Sequence, residues 1–181
     1  MNAATLIAES LALGVAAVAA ICDWRRGEIP NWLTLPSLFS APFVYGLAFG
    51  IEYALHSLAA GFLSALVPYL LFRRGAMGGG DVKLFGALGA ITGFDVLAGI
   101  EIQLVALIVA VVGACGALAW RGALLRTFGN ALVLTLNPVL PARWRQDPCD
   151  ALHTPVRMGG PIFLATGVFA APHLALAWSA L

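Results

Sequence analysis

The sequence predicts an all-α membrane protein with six transmembrane helices and one further helix lying on the cytoplasmic membrane surface near residues 123–140. Three observations carry this. Apolar residues make up 61% of the 181-residue chain and charged residues only 10%, whereas a soluble domain carries about 25% charged residues. Six runs reach or approach the roughly 17 to 25 apolar residues that a bilayer-crossing helix needs. When six spans alternate, all 10 Lys and Arg residues fall on one side.

The first run covers residues 3–22. Val18-Ala19-Ala20 at its end resembles a signal-peptide cleavage site. However, the run lacks a basic leading region, Glu9 interrupts it, and it is long enough to span, so a retained helix is expected. The second and third runs, 35–51 and 55–72, nearly merge, with Glu52, Tyr53 and His56 as the expected hairpin turn. The fourth and fifth, 84–100 and 102–120, meet in another tight hairpin over 95–101. The sixth covers 161–178.

The segment 123–140 could pass for a seventh span. Arg121 and Arg143 flank it, and as a helix it puts Leu125, Phe128, Leu132 and Leu136 on one stripe. Arg126, Asn130 and Asn137 fall on another. That amphipathic pattern predicts an interfacial helix on the cytoplasmic side.

Orientation follows from the basic residues, which concentrate on the cytoplasmic side of membrane proteins. Arg25, Arg26, Arg73, Arg74, Lys83, Arg121, Arg126, Arg143, Arg145 and Arg157 share one side. Glu9, Glu52, Asp95 and Glu101 lie on or near the other. Both termini are therefore expected outside, and residues 1–181 form one integral membrane domain with the lipid bilayer as its surroundings. A net charge of +1 gives no electrostatic case for a nucleic-acid partner. Cys22, Cys115 and Cys149 form no CxxC pair, so they read as small hydrophobes rather than metal ligands or a disulfide framework.

Two carboxylates stand out. Asp23 follows the first run and Asp81 precedes the fourth. Two spans separate them, so they share a membrane face whichever way the chain inserts. Ionisable groups at membrane depth are costly and functional by default. Two close carboxylates share one proton. The ionised one can take a proton from water, and the protonated one can polarise a carbonyl and then protonate a leaving amine. Such a pair needs neither metal nor cofactor. Each Asp also has a plainer reading. Asp81 could simply cap a helix, and Asp23 could pair with Arg25 or Arg26. The glycines at 78, 79 and 80 allow close backbone approach and a non-helical lead into the fourth span.

Other residues carry two readings each. Lys83 either tunes the carboxylate pair, contacts an acidic group of a substrate, or snorkels as a topology anchor. Pro30 and Asn31 either shape the loop after Asp23 or begin the second span. Arg25 and Arg26 read as topology determinants. His56 and His173 fall on the face away from the Asp pair, and His153 is an isolated loop residue. Glu9 lies mid-span, facing the bundle interior, with no assigned partner.

The stretch from Asp23 to Asn31, with Arg25 and Arg26 followed by Ile29-Pro30-Asn31, resembles the first-loop motif of type IV prepilin peptidases. Gly78-Gly79-Gly80-Asp81-Val82-Lys83 resembles that family's GxGD motif. Gly159-Gly160-Pro161-Ile162-Phe163-Leu164-Ala165 resembles the segment opening its last helix. The three occur in family order and cover most of the chain.

The resemblance implies a membrane aspartyl endopeptidase of the bacterial inner membrane, with Asp23 and Asp81 as the catalytic pair at the cytoplasmic face. Its substrate would be a pilin precursor with a short basic leader. Gly78, Gly80, Lys83, Ile29, Pro30 and Asn31 are the expected substrate-binding or loop-shaping residues. Long members also methylate the new pilin N-terminus and carry paired CxxC motifs between the first two spans. Here that loop runs only from Asp23 to about Thr34, without CxxC. The chain thus looks like the short, peptidase-only form of tight-adherence pilus systems, with Flp-like substrates and no methyltransferase activity. Two rivals remain. One is a non-enzymatic membrane transport or assembly subunit. The other is a GxGD protease that cuts other membrane helices, as presenilin-like enzymes do; Ile29-Pro30-Asn31 argues against it.

Overall fold

A computed structural model describes residues 3–120, 122 and 157–179. The regular structure among them is six helices: α1 (Ala3–Arg26), α2 (Asn31–Phe49), α3 (Ile51–Arg73), α4 (Gly79–Ile91), α5 (Ala98–Trp120) and α6 (Gly159–Ser179). All but α4 are long and apolar enough to cross a membrane. The surface helix expected over 123–140 lies outside the described residues.

The chain divides into two compact units. The first comprises Met1–Val109 with Arg157–Leu181 and holds every candidate site residue. The second is Ala110–Val156, of which the described part is the end of α5 and Gly122.

The first unit is built inside-out relative to a soluble bundle. Large apolar side chains such as Phe39, Leu47 and Phe62 point outward, while Ala12, Ala16, Ala19 and Ala60 are fully buried. Small interior residues let helix backbones approach closely, which is how helices associate when lipid is the solvent. Trp24, Trp32, Trp120 and Trp178 are exposed at helix ends, where indole rings suit a membrane–water boundary.

The fourth run breaks earlier than its composition predicts. The helix ends at Ile91 instead of continuing toward residue 100. Its 13 residues span about 20 Å, short of a hydrocarbon core of about 30 Å. Two neighbouring helices cover the carbonyls at this end. Ser57 Oγ donates to the Ala90 carbonyl at 2.7 Å, beside the Gly93 N–H at 3.3 Å, and Tyr45 OH donates to that of Ile91 at 2.7 Å, while the Leu88 carbonyl accepts both the N–H and Oγ1 of the C-cap Thr92 at 2.9 Å. Every residue from 84 to 91 is buried. The run is apolar because protein surrounds it, which composition alone does not distinguish from lipid.

The α2–α3 hairpin is tighter than expected, and the α4–α5 connection is longer than expected and falls earlier in the chain. A single residue, Gly50 with φ of 99°, turns α2 into α3, and Glu52, Tyr53 and His56 are already helical. Between α4 and α5 the chain turns over 92–97, where Asp95 Oδ1 accepts the Leu97 N–H at 2.9 Å. Glu101 lies inside the first turn of α5. At the other end of the bundle, Arg25 and Arg26 close α1, Arg73 closes α3, Lys83 lies near the start of α4 and Arg157 precedes α6.

Candidate active site

Asp23 lies in the last turn of α1, not in the loop beyond it. The helix runs on to Arg26, so the connection to α2 is only residues 27–30. Asp23 is 6% exposed. Its Oδ2 accepts the backbone N–H of Gly159, the first residue of α6, at 2.9 Å. A helix N-terminus offers unpaired N–H groups and a positive dipole end, both of which favour a carboxylate. Arg157 fixes the same junction by donating to the Trp24 carbonyl at 2.9 Å.

Asp81 occupies the third position of α4, and its Oδ2 accepts the N–H of Gly78, the residue preceding the helix, at 3.2 Å. The cap expected of Asp81 is therefore real, with the carboxylate reaching back rather than standing at the N-cap itself. Gly78 is extended and belongs to the non-helical lead, whereas Gly79 and Gly80 are already helical. Their role is space. A Cβ on Gly80 would meet Ile29 Cβ at 3.1 Å, and one on Gly78 would meet Asp81 Oδ2 at 3.0 Å.

The two aspartates line one cavity of about 290 Å³. Its walls are Asp23, Gly27, Glu28, Ile29, Asn31, the three glycines and Asp81. Burial, then the charge of Asp23, push the Asp81 carboxyl up from 3.8 to about 6, against the lowering effect of the Gly78 N–H. One member of the pair thus keeps its proton far more readily than an ordinary carboxyl does. A second groove of about 720 Å³ lies on the α1–α6 side, where Asp23 meets Ala17, Ala20, Trp24, Arg157, Pro161 and Phe163. Asp23 forms a wall of both.

Of the remaining expected residues, Asn31 lines this cavity, while Pro30 and Lys83 are not among its walls. Pro30 is the residue before α2, in extended conformation, and Asn31 begins the helix, so both shape the loop by starting the span. Lys83 Nζ donates to Asn31 Oδ1 at 2.7 Å. That bond ties the start of α4 to the start of α2, a role that neither a topology anchor nor a substrate contact describes. Lys83→Met and Asn31→Ala are each expected to lower unfolding stability. In a double-mutant cycle on detergent-solubilised protein their coupling should be about 1 kcal/mol; additive effects would show that the bond contributes nothing.

Gly159, Glu28 and Gly27 were not singled out as site residues from the sequence. Gly159 acts through its backbone, so its side-chain type gives no chemical hint. Its place at the head of the last helix, beside Gly160 and before Pro161, was the available signal.

Residues 10–136 match the sequence profile of the type IV leader peptidase family. The chain belongs to this family. A similar protein of the type IV leader peptidase family is the prepilin leader peptidase/N-methyltransferase of Dickeya chrysanthemi, 32% identical over 123 residues, which cover 64% of this chain and 41% of that protein. The prepilin leader peptidase/N-methyltransferase of Burkholderia pseudomallei strain 1026b is 37% identical over 134 residues, covering 67% and 40% respectively. The chain thus spans about two-fifths of the length of these curated relatives. No solved structure matches it.

Proposed function

We propose that this type IV leader peptidase family member is a membrane aspartyl endopeptidase that removes the short basic leader from pilin precursors. The observation that carries the reading is one cavity lined by both aspartates, with the acidity of Asp81 lowered by burial and by Asp23. Asp23, holding the Gly159 N–H, serves as the ionised base and takes a proton from water. The hydroxyl oxygen attacks the scissile carbonyl carbon. Asp81 donates its proton's hydrogen bond to the carbonyl oxygen, and the dyad then protonates the departing amine nitrogen.

The site faces the cytoplasm of a bacterial inner membrane, with both termini outside. Its support is the gathering of basic residues at the Asp23 end of the bundle. A pilin precursor suits this depth, because its basic leader is cytoplasmic and its apolar helix lies in the bilayer. The four-residue connection after α1 leaves no room there for a CxxC insert, so the enzyme cuts without methylating and acts on Flp-like pilins. Co-expression with such a precursor should give a shortened product on a gel. A precursor of unchanged size would favour a non-enzymatic assembly subunit instead.

The pH dependence has a definite sign. Once Asp81 has lost its proton the pair has no acid. Turnover per enzyme at low substrate should therefore decline as pH rises through about 6, where Asp81 loses its proton. A rate that stays level through that range and into alkali would exclude Asp81 as the acid.

A further inference from the structure

Glu9 is 3% exposed in the middle of α1. Its Oε1 lies 2.7 Å from His173 Nδ1 on α6, a close approach without hydrogen-bond geometry, and both that Nδ1 and the Glu9 Oε2 are buried with no hydrogen-bond partner. Neither residue is near the cavity, and the proposed reaction uses neither. Their positions are nevertheless tied to it. Glu9 and Asp23 are fourteen residues apart on α1, and Gly159 and His173 are fourteen apart on α6. The helices run in opposite directions, so contacts Glu9–His173 and Asp23–Gly159 are two rungs of one ladder, about 21 Å apart along the axis.

The seam between the rungs is regular. On α1 the buried positions 9, 12, 16, 19 and 23 advance by steps of three and four. On α6, Gly159, Ile162, Thr166 and Ala170 are buried and lead to His173 by the same steps. This spacing of three and four over fourteen residues is the two-heptad pattern of an antiparallel helix seam. Between the rungs the buried α1 positions are Ala12, Ala16 and Ala19, and α1 also brings Leu13 Cδ1 within 3.8 Å of a Cβ placed on Gly167 and Ala20 Cα within 3.1 Å of one placed on Gly159. None of these residues is polar, so none selects a register through the cost of burying an unpaired group. A polar group in such a seam is what selects one register over its neighbours. A slip of one turn would leave the Glu9 carboxyl buried against apolar atoms, which is unfavourable.

We propose that Glu9 and His173 are positioning residues whose contact sets the register of α1 against α6 and so keeps Asp23 Oδ2 on the Gly159 amide. This rests on the reading of Asp23 as half of the reactive pair. The register itself can be measured without substrate. In the full chain in membranes, cysteines replacing Ala12 and Ala170 should cross-link on oxidation, as should those replacing Ala16 and Thr166. Pairs displaced by a turn, Ala12→Cys with Thr166→Cys, should not.

Adding Glu9→Ala should weaken the in-register cross-links and strengthen the displaced one. It should also lower kcat for a pilin precursor by about tenfold or more with KM little changed, the pattern of a misplaced catalytic group. His173→Phe breaks the same contact from its half-exposed side and should act alike if the alanine variant folds poorly. The exchanged pair, Glu9→His with His173→Glu, should restore both readouts. Wild-type cross-links and turnover in both single variants would overturn the proposal. So would lost turnover with the register intact, since that would indicate direct chemistry. If no precursor is cut even by the wild type, the peptidase reading fails by itself, and unchanged cross-links in the single variants would still overturn the register claim.

Discussion

Asp23→Asn and Asp81→Asn are each expected to abolish cleavage of a co-expressed pilin precursor, a loss of roughly 10⁴-fold or more for a group that acts as part of a catalytic unit. Asparagine keeps the size and one acceptor oxygen of each carboxyl, so the Gly159 and Gly78 N–H groups retain a partner. The protein should still insert. Efficient processing by either variant would end the dyad reading.

Asp81→Asn should also change stability, with a sign set by its titration. The Asp81 carboxyl titrates near 3.8 in its ordinary state and at about 6 in the fold. The folded state therefore holds the proton more tightly, and this contribution is fully present below pH 3.8. Wild-type protein loses it as pH rises through about 6. Asparagine never ionises. The variant should match wild type in acid and exceed it above about pH 6 by at most about 3 kcal/mol. Unfolding in detergent micelles across that range is the measurement. An inactive variant that gains stability only where Asp81 would be charged is hard to explain by a residue that merely caps a helix.

Gly159→Ala carries the second large effect. A Cβ there would lie 2.7 Å from Asp23 Cβ, 2.8 Å from Asp23 Oδ2 and 3.1 Å from Ala20 Cα. The obstruction includes backbone on one side and the Asp23 carboxyl on the other, so the carboxyl must shift. A displacement of about 1 Å in a catalytic group can cost about 10²-fold in rate, and overpacking of this kind also destabilises by about 1–3 kcal/mol. Gly160→Ala is the matched control, because a Cβ at Gly160 meets nothing within 4 Å. It should process precursor at the wild-type rate. Equal losses in the two variants would point to general sensitivity of the helix start instead of a clamp on Asp23.

Asp23 and Asp81 were legible in the sequence because parity of the spans puts them on one face, and that inference needs no contact. The rest of the site was partly hidden. Lys83 and Asn31 were visible as polar residues at helix starts, but their bond joins positions 52 residues apart, which local pattern cannot pair. Gly159 contributes only a backbone N–H. Glu9 stood out as a buried acid, while its partner His173 lay 164 residues away, on the last helix. The fourth span was misjudged for a different reason. Residues 84–91 are as apolar as a lipid-facing helix, yet Ser57 and Tyr45 from other helices reach the carbonyls at their end.

That enclosure of α4 has a mechanical consequence. A helix whose residues from 84 to 91 are all buried in protein has little hydrophobic length to match against the bilayer. Thinner or thicker membranes tilt or stretch the elements that touch lipid, which here are the outer helices with Phe39, Leu47 and Phe62 on their surfaces. Among the described helices, α4 with Asp81 is the one enclosed in this way, so its neighbours work as a suspension and α4 as the fixed bench on which Asp81 is mounted.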